Sequence, residues 1–378
     1  MVVQNHAIFT ICSNNYVPMA AVLLQSAGEH HPNATLYLCL ADKLLPEPGF
    51  YPPGCQIITA EDLDIPEFRQ FAFRYDIMEF NTAVKPFMFL YLLKHKHDAI
   101  LYFDPDIEIF SPLDDIVCRL YNGASFVVTP HLLYPSEGDS YPNDVDIMRA
   151  GTYNLGFLGV GATAEAPAIL DWWARRLRYQ CISDQRHGLF VDQKFFDLVP
   201  GFADEVHIVR HSRHNVAYWN LAQRRLEADG SAWRVDENPL GFFHFSGFDC
   251  FNPNYLSKYT DAFRDGAIFP SLRLLMQHYA ERVISKGYEK ALGIPYGYGY
   301  FGSGAQISDH ARRLFRSRAQ PWSGDPFTLF EAHVPPLNST SRLSADAEEL
   351  ALQVQAIYAS TSWRLTRPLR MLKELLMG

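Results

Sequence analysis

Residues Ile100–Pro112 have the sequence ILYFDPDIEIFSP, and this stretch decides the fold. Its first four residues, Ile100–Phe103, are β-branched, aliphatic or aromatic, which is the pattern of a buried strand. Pro105 has no amide hydrogen for a sheet ladder, so we predict that the strand ends there. Asp104 and Asp106 then stand at the carboxyl end of a core strand, where open α/β sheets place their ligands.

Two carboxylates separated by one residue repel each other unless a cation lies between them. Hard oxygen ligands select Mg²⁺ or Mn²⁺, and such ions take their remaining ligands from substrate phosphates. Asp104 and Asp106 therefore predict a metal site that binds a diphosphate. The alternative is a solvated turn or a helix cap, because Asp-x-Asp is a common sequence.

The composition is that of a globular protein: 48% of the 378 residues are hydrophobic and 14% are aromatic. A net charge of −9, with no basic run that contains aromatics, argues against a nucleic-acid partner. The six cysteines form no CxxC pair, which favours a reducing compartment. With no signal-peptide pattern and no apolar run longer than Phe87–Leu93, we predict a soluble cytoplasmic protein.

Strand and helix patterns alternate along the first part of the chain, which predicts an α/β fold with a mixed, mostly parallel sheet flanked by helices. The predicted strands are Ala7–Cys12, Thr35–Leu40, Gln56–Thr59, Ser125–Thr129, Thr152–Gly161 and Gly241–Phe248. The predicted helices are Pro18–Glu29, Asn81–Lys96, Asp114–Tyr121 and Pro167–Tyr179, with a further one within Leu189–Val199. The polar segment His131–Arg149 is predicted to be a functional loop.

Helical patterns dominate the last third of the chain. We predict a catalytic domain over residues 1–256 and a mainly helical region over 257–378, with a proline-rich linker near 321–341. A helix is predicted over Ala345–Tyr358, and the stretch Ser362–Met377 spaces basic residues among leucines. That basic stretch predicts peripheral contact with an anionic membrane surface. The alternative is a helix packed on its own protein.

Six segments stand in a characteristic order: the Asn14–Tyr16 turn, a helix that carries Lys85, and the motifs YFDPDI, NLGFLGV, VDQKFFD and HFSGF. Over Ala7–Asp249 the chain resembles the metal-dependent nucleotide-sugar glycosyltransferases of the GT-A fold. It most resembles the retaining group that includes bacterial lipopolysaccharide galactosyl- and glucosyltransferases and glycogenin. The resemblance implies a GT-A (Rossmann-like) domain with a helical carboxyl-terminal extension, and Mn²⁺ or Mg²⁺ as cofactor.

The resemblance also implies the reaction. The donor would be a nucleoside-diphosphate sugar, specifically a UDP-sugar, and the product would retain the anomeric configuration. The acceptor would be a glycan or lipid-linked saccharide in bacterial surface polysaccharide synthesis.

Site residues are carried over by position. Asp104, Asp106 and His244 match the metal ligands; a buried core histidine is the alternative for His244. The residues implied to bind the donor are Asn14, Asn15, Tyr16, Lys85, Asn154, Gly156, Ser246 and Gly247. For the Asn14 turn the alternative is a plain helix cap, and for Lys85 it is a solvated side chain.

Asp192 and Gln193 match the pair closest to the anomeric carbon, which orients the sugar and stabilises its oxocarbenium-like state. The alternative for Asp192 is a residue at a helix amino terminus, where the helix dipole favours a carboxylate.

One departure concerns the phosphates. The family's late motif continues to a lysine that grips the diphosphate, but here Phe248, Asp249 and Cys250 follow Gly247, and the next lysine is Lys258. His211, Arg213 and His214 are candidate substitutes, and Asn215 and Tyr218 are predicted to line the pocket.

Two alternative functions stay open. A metal-dependent nucleotidyltransferase also needs paired aspartates, although residues 13–17 lack the glycine-rich phosphate loop that it would normally show. A non-catalytic carbohydrate-binding protein would use the abundant aromatic residues without needing a metal.

Overall fold

The structure is a computed structural model that describes residues 5–136, 142–230, 232–260, 262–263, 268–318 and 321–334. Described residues up to Thr328 belong to one compact unit, and residues 329–334 belong to a second. The predicted helix Ala345–Tyr358 and the basic stretch Ser362–Met377 lie outside the described residues. The predicted domain division at residues 256 and 257 and the linker at 321–341 stay predictions.

The described strands, in chain order, are β1 (His6–Cys12), β2 (Thr35–Leu40), β3 (Gln56–Thr59), β4 (Ala99–Phe103), β5 (Ile107–Ile109), β6 (Phe126–Pro130), β7 (Tyr153–Gly161), β8 (Ser183–Asp184), β9 (Leu189–Phe190), β10 (Val206–Ile208), β11 (Leu226–Asp229), β12 (Ala232–Val235), β13 (Asn238–Pro239) and β14 (Phe242–His244). The described α-helices are α1 (Val17–His30), α2 (Phe68–Arg74), α3 (Ile77–Ala83), α4 (Lys85–Lys94), α5 (Asp114–Tyr121), α6 (Asp144–Ala150), α7 (Ala166–Gln180), α8 (Gln193–Phe196), α9 (Pro270–Ser285), α10 (Tyr288–Leu292), α11 (Asp309–Arg316) and α12 (Pro326–Leu329). Among these helices, none is both long and apolar enough to cross a membrane.

The main sheet of the described chain has the strand order β10-β6-β7-β4-β1-β2-β3. Strand β1 pairs in parallel with β2 and β4, and the pairs β2–β3 and β6–β10 are also parallel. Strand β7 runs antiparallel to both of its neighbours, β4 and β6. This mixed, mostly parallel sheet with helices on its faces confirms the predicted fold class.

Strand β4 lies at the centre of the sheet, and all five of its residues are buried. Leu101 belongs to the hydrophobic cluster on the α1 side, which contains Leu23. Tyr102 points to the opposite face, where its ring lies 6.5 Å from that of Phe89 in α4. Helices on both faces explain why β4 is apolar throughout instead of alternating. As predicted, the strand ends at Phe103, just before the Asp-Pro-Asp motif.

Helix α9 packs beside α1 and anchors the strand that follows the motif. Glu108 of β5 is almost completely buried and pairs with Arg282 and, at 3.1 Å, with the Nε2 atom of His278. The ring of Tyr279 stacks on that of Phe245, with 3.7 Å between the centroids. These contacts hold the two short strands β5 and β14 against α9.

Two predicted elements were wrong in extent. The single helix Asn81–Lys96 is two helices, α3 and α4, and Pro86 stands in the first turn of α4, where its missing amide hydrogen costs little. The predicted strand Gly241–Phe248 is only β14, and Gly247 beyond it has a φ of 73°. The helix predicted within Leu189–Val199 is confirmed as the short α8, which begins at Gln193.

The segment His131–Arg149 was predicted to be a loop, but its end is helix α6. The Asn143 side chain accepts hydrogen bonds from the backbone N–H groups of Val145 and Asp146, and the Asp146 carboxylate accepts one from the backbone N–H of Asn143. This is a capping box, with Asp in place of the usual Glu or Gln. The polar residues that suggested a loop are therefore the helix start signal.

Candidate active site

The pairing of β14 with β5 brings the metal-site residues together. In this antiparallel pair, His244 is opposite Ile107, which directly follows Asp106. The backbone N–H of Phe245 donates to the carbonyl oxygen of Asp106 at 2.9 Å. Asp104 is held from the other side, because its N–H donates to the carbonyl oxygen of Gly156 at 2.7 Å. Backbone hydrogen bonds thus place the backbone of all three residues together at the carboxyl end of β4.

Asp104, Asp106 and His244 each offer one ligand atom, and these atoms lie within 4.8 Å of one another. The Nε2 atom of His244 is 3.1 Å from Asp106 Oδ1 and 3.8 Å from Asp104 Oδ2. The two carboxylates are 30% and 18% exposed, so both are partly withdrawn from solvent. Two carboxylate oxygens with one imidazole nitrogen suit a divalent ion such as Mn²⁺.

The charges of the site act on the His244 ring. Burial by itself lowers the pKa of His244, but Asp106 and Asp104 together outweigh burial and raise that pKa. The imidazole is therefore in electrostatic contact with both carboxylates, unlike a core histidine packed only among phenylalanines. The same two negative charges that favour a proton on the ring would attract a divalent cation in its place.

Tyr102 is a residue that the sequence analysis missed. Its hydroxyl donates to Asp104 Oδ1 at 2.5 Å, and its ring lies 4.2 Å from the ammonium nitrogen of Lys85. Tyr102 is part of the apolar strand β4, two residues before Asp104. This short distance to the motif is the sequence signal that could have identified it. Tyr102 connects the metal site to the Lys85 side chain.

Gly156 and Asn154 lie directly against His244. A Cβ atom on Gly156 would stand 2.5 Å from His244 Cε1, so the histidine ring occupies space that only glycine leaves open. Asn154 Oδ1 is 3.3 Å from His244 Nδ1, and Asn154 Nδ2 is 3.3 Å from His131 Nε2. Burial lowers the pKa of His131 to about 4, so that ring is neutral near pH 7.

Lys85 and Asp192 form a buried ion pair. Lys85 Nζ is 2.5 Å from Asp192 Oδ2, and the two side chains are 1% and 4% exposed. Lys85 also donates to the Leu155 carbonyl oxygen at 2.8 Å. Burial raises the pKa of Asp192, and the Lys85 charge opposes that shift. The solvated alternative for Lys85 was wrong, because the side chain is buried.

Gln193 follows Asp192 and is held against β7. Its Oε1 atom accepts from the Leu155 N–H at 3.3 Å, and its Nε2 donates to the Ala150 carbonyl oxygen at 2.9 Å. Trp173 fixes the preceding residue, because its indole N–H donates to the Asp192 carbonyl oxygen at 3.1 Å. The predicted catalytic pair therefore lies beside the same strand that carries Asn154.

A cleft of about 230 Å³ connects the Asn14 turn to the two carboxylates. Its walls include Ser13, Asn15, Tyr16, Met78, Asn81, Tyr102, Asp104 and Asp106. Tyr16 is 40% exposed, so its ring is available to a ligand.

Asn14, by contrast, is buried beside this cleft. Its Nδ2 donates to the Lys43 carbonyl oxygen, and its Oδ1 accepts from the Tyr51 hydroxyl. The helix-cap alternative for this turn was wrong, because no side chain caps α1.

Ser246 and Gly247 follow His244 and are half-buried. The Tyr259 ring lies against Gly247, where an added Cβ would be 2.8 Å from its edge. The N–H of Lys258 donates to the Gly247 carbonyl oxygen at 3.0 Å. Tyr218 is close by, with its ring centroid 6.0 Å from that of Tyr259.

Two of the three candidate substitutes for the missing lysine, Arg213 and His214, contact other groups, whereas His211 is exposed. His214 Nε2 is 2.8 Å from Asp115 Oδ2, and its side chain is fully buried. Arg213 lies 3.6 Å from Asp115 and donates to the Pro112 carbonyl oxygen. Asn215 is also buried, with its amide bonded to Thr129 and Asn154. Arg213 and His214 are therefore paired with Asp115 of α5, and their part in gripping the diphosphate stays a prediction.

No protein-family model matches the chain. The uncharacterized protein YfnD of Bacillus subtilis (strain 168) is 28% identical over 252 residues, which are 63% of this chain and 76% of YfnD. YfnF of the same strain is 28% identical over 194 residues, which are 50% of this chain and 63% of YfnF.

Among solved structures, the galactosyltransferase LgtC in complex with donor and acceptor sugar analogs matches with a TM-score of 0.41 and 16% identity, over 74% of this chain and 95% of LgtC. The glycosyltransferase GlyE of Streptococcus pneumoniae TIGR4 matches with a TM-score of 0.41 and 12% identity, over 79% and 67% of the two chains. Mouse xyloside xylosyltransferase 1 matches with a TM-score of 0.36 and 15% identity, over 64% of this chain and 97% of the mouse protein. All three are glycosyltransferases, the class of enzyme that the sequence resembles.

Proposed function

We propose that this protein is a metal-dependent glycosyltransferase that moves a sugar from a nucleoside-diphosphate sugar, specifically a UDP-sugar, to a glycan or lipid-linked saccharide. The observation that carries the proposal is the cleft that joins exposed Tyr16 to Asp104 and Asp106. A nucleoside diphosphate has an aromatic base at one end and a charged diphosphate at the other. The cleft offers an aromatic ring and a cation site in that same order.

The described residues suit the parts of this reaction. Asp104, Asp106 and His244 would hold Mn²⁺ or Mg²⁺, which supplies Lewis-acid neutralisation of the departing diphosphate. Asp192, which Lys85 holds in place through their ion pair, would stabilise the positive charge that develops at the anomeric carbon. Retention of configuration and a role in bacterial surface polysaccharide synthesis rest on the family resemblance.

Lys258 is the residue that we propose for the diphosphate grip. Its backbone is hydrogen-bonded to Gly247, three residues from the metal ligand His244, and its side chain is exposed. Its ammonium lies 5.1 Å from the centroid of the Tyr259 ring, and an exposed ammonium on this segment is suited to neutralise a phosphate oxygen. The chain would thus supply this charge from the segment after the motif instead of from within it.

The Lys258→Ala variant tests this role. We expect its KM for the donor to rise by about tenfold, because one charge-assisted hydrogen bond to phosphate is lost. The matched control is Lys94→Ala, since Lys94 is exposed, pairs with Asp64 and ends the helix that leads into β4, at the opposite edge of the sheet. Steady-state kinetics with both variants measure the effect. An unchanged donor KM in Lys258→Ala would assign the grip to another residue.

A thermal-shift screen tests the donor class. UDP, GDP, CMP and dTDP are each added with Mn²⁺, with Mg²⁺ or with EDTA. A ligand that binds only the folded protein stabilises it by about 2.7 kcal/mol at one hundred times its Kd. We expect a rise in the unfolding midpoint with UDP and Mn²⁺ that EDTA removes. A rise that EDTA leaves intact contradicts the metal site, and no rise with any nucleotide contradicts the donor site.

Product analysis separates the alternative functions. A glycosyltransferase releases a nucleoside diphosphate from the donor, whereas a nucleotidyltransferase forms or consumes pyrophosphate. A non-catalytic carbohydrate-binding protein would bind sugar without a metal and leave every donor intact. Contact of the basic stretch Ser362–Met377 with an anionic membrane stays a separate prediction, which liposome co-sedimentation with and without that stretch decides.

A further inference from the structure

We infer that Asn154 is a positioning residue for the metal site: its amide holds the His244 ring so that Nε2 faces Asp104 and Asp106. This inference rests on the metal-dependent function proposed above. It gives Asn154 a role different from the contact with the donor sugar that the sequence resemblance implies.

The first step concerns the two nitrogens of the His244 ring. For Nε2 to bind a metal, its lone pair must be free, so the proton of the neutral ring must reside on Nδ1. That N–H then needs an acceptor, because the side chain is only 3% exposed. Asn154 Oδ1 lies 3.3 Å from His244 Nδ1 and can accept a hydrogen bond from the Nδ1–H group. Asn154 therefore selects the ring form that binds metal.

The second step concerns the orientation of the Asn154 amide. Its Oδ1 atom also accepts a hydrogen bond from Asn215 Nδ2 at 3.1 Å. Its Nδ2 atom faces His131 Nε2 at 3.3 Å, and the neutral His131 ring can accept there. A flipped amide would set its NH₂ group against two donors and leave its oxygen facing His131. The neighbours on both sides thus favour one orientation, with the oxygen toward His244.

The third step concerns Asn215, which anchors the network. Asn215 Nδ2 donates to Thr129 Oγ1 at 2.8 Å as well as to Asn154. The residue is fully buried and has a φ of 50°, and Asn220 Nδ2 donates to its carbonyl oxygen at 2.9 Å. A side chain without exposed surface contacts no ligand. Its effect on the reaction must pass through Asn154 and His244.

The test begins with Asn154→Leu, which keeps the branched shape of the side chain and removes both hydrogen-bonding atoms. We measure the Mn²⁺ Kd by calorimetry without nucleotide, and the nitrogen coupling of bound Mn²⁺ by pulsed electron paramagnetic resonance. We expect the Kd to rise by about 10- to 100-fold, the usual effect of losing a residue that orients a metal ligand. We also expect the imidazole coupling to disappear, which a purely structural role of Asn154 would not cause.

A second variant keeps the inference testable where Asn154→Leu does not fold. Asn215→Gly removes the anchoring amide, and glycine tolerates the left-handed backbone at this position. The matched control is Lys96→Gly, at another left-handed residue with a φ of 65°, located in the exposed turn after α4. We expect a several-fold weaker Mn²⁺ affinity in Asn215→Gly and no change in the control.

The inference is overturned if Asn215→Gly and any folded Asn154→Leu protein keep the Mn²⁺ Kd within about twofold of the wild type. A raised Kd with unchanged imidazole coupling also overturns it, because His244 would then stay in place without Asn154. If the wild-type protein binds no Mn²⁺, the metal part of the proposed function fails as well. If the wild type binds Mn²⁺ and the variants match it, only this inference fails.

Discussion

The Asp106→Ala variant is expected to lose Mn²⁺ binding and at least about 100-fold in turnover, while it stays folded. A preorganised charge next to the reacting group is typically worth that much in rate. The Asp106 carboxylate is the closer of the two to His244, at 3.1 Å, so its loss removes one ligand and frees another. Titration calorimetry with Mn²⁺ and steady-state kinetics measure the two effects.

Folding should survive this change for a local reason. The Asp106 contact that holds β5 and β14 together is made by its backbone carbonyl oxygen, which alanine also provides. The lost side-chain hydrogen bond costs about 1–3 kcal/mol of unfolding free energy. The control is Asp64→Ala, because Asp64 is 92% exposed and pairs with the surface residue Lys94. Near-normal turnover in Asp106→Ala would show that the metal cluster is not the reaction centre.

The largest effect on stability is expected where Asp192 is replaced by leucine. The Lys85 ammonium would then be left almost completely buried without its counter-charge. Removing one partner of a buried ion pair typically costs about 3–5 kcal/mol. Lys85→Met should cost a similar amount, since it leaves the Asp192 carboxylate alone in the same apolar surroundings. Urea unfolding of both variants measures these losses.

The double variant Lys85→Met/Asp192→Leu should regain most of the lost stability. Burial raises the pKa of Asp192 in spite of Lys85, so desolvation outweighs the attraction between the two groups. Well-packed apolar replacements of such a pair are often neutral or stabilising. A double-mutant cycle therefore should show strong coupling between the two positions. Additive losses would contradict the ion pair, and an inactive but stable double variant would indicate that the pair serves the reaction.

Much of the fold could be predicted from local patterns. Strand β4 was recognisable because a fully apolar run ends just before the Asp-Pro-Asp motif, and the bounds of β2, β3 and α5 match their predictions. Local patterns failed where a turn signal and a helix cap share the same residues, as at Asn143. They also failed at α3 and α4, where one continuous apolar periodicity spans two helices.

The sequence by itself determined the α/β sheet and the placement of Asp104 and Asp106 at its carboxyl edge, because strand periodicity and a missing amide hydrogen are local properties. Only the tertiary structure decided which distant residues meet there. The pairing register of β14 with β5 places His244 next to the two carboxylates. Lys85 and Asp192, which are 107 residues apart, form an ion pair in the interior. Lys258 comes to Gly247 by one backbone hydrogen bond. These contacts depend on packing between segments that are far apart in the chain, and packing leaves no periodic signal in either segment.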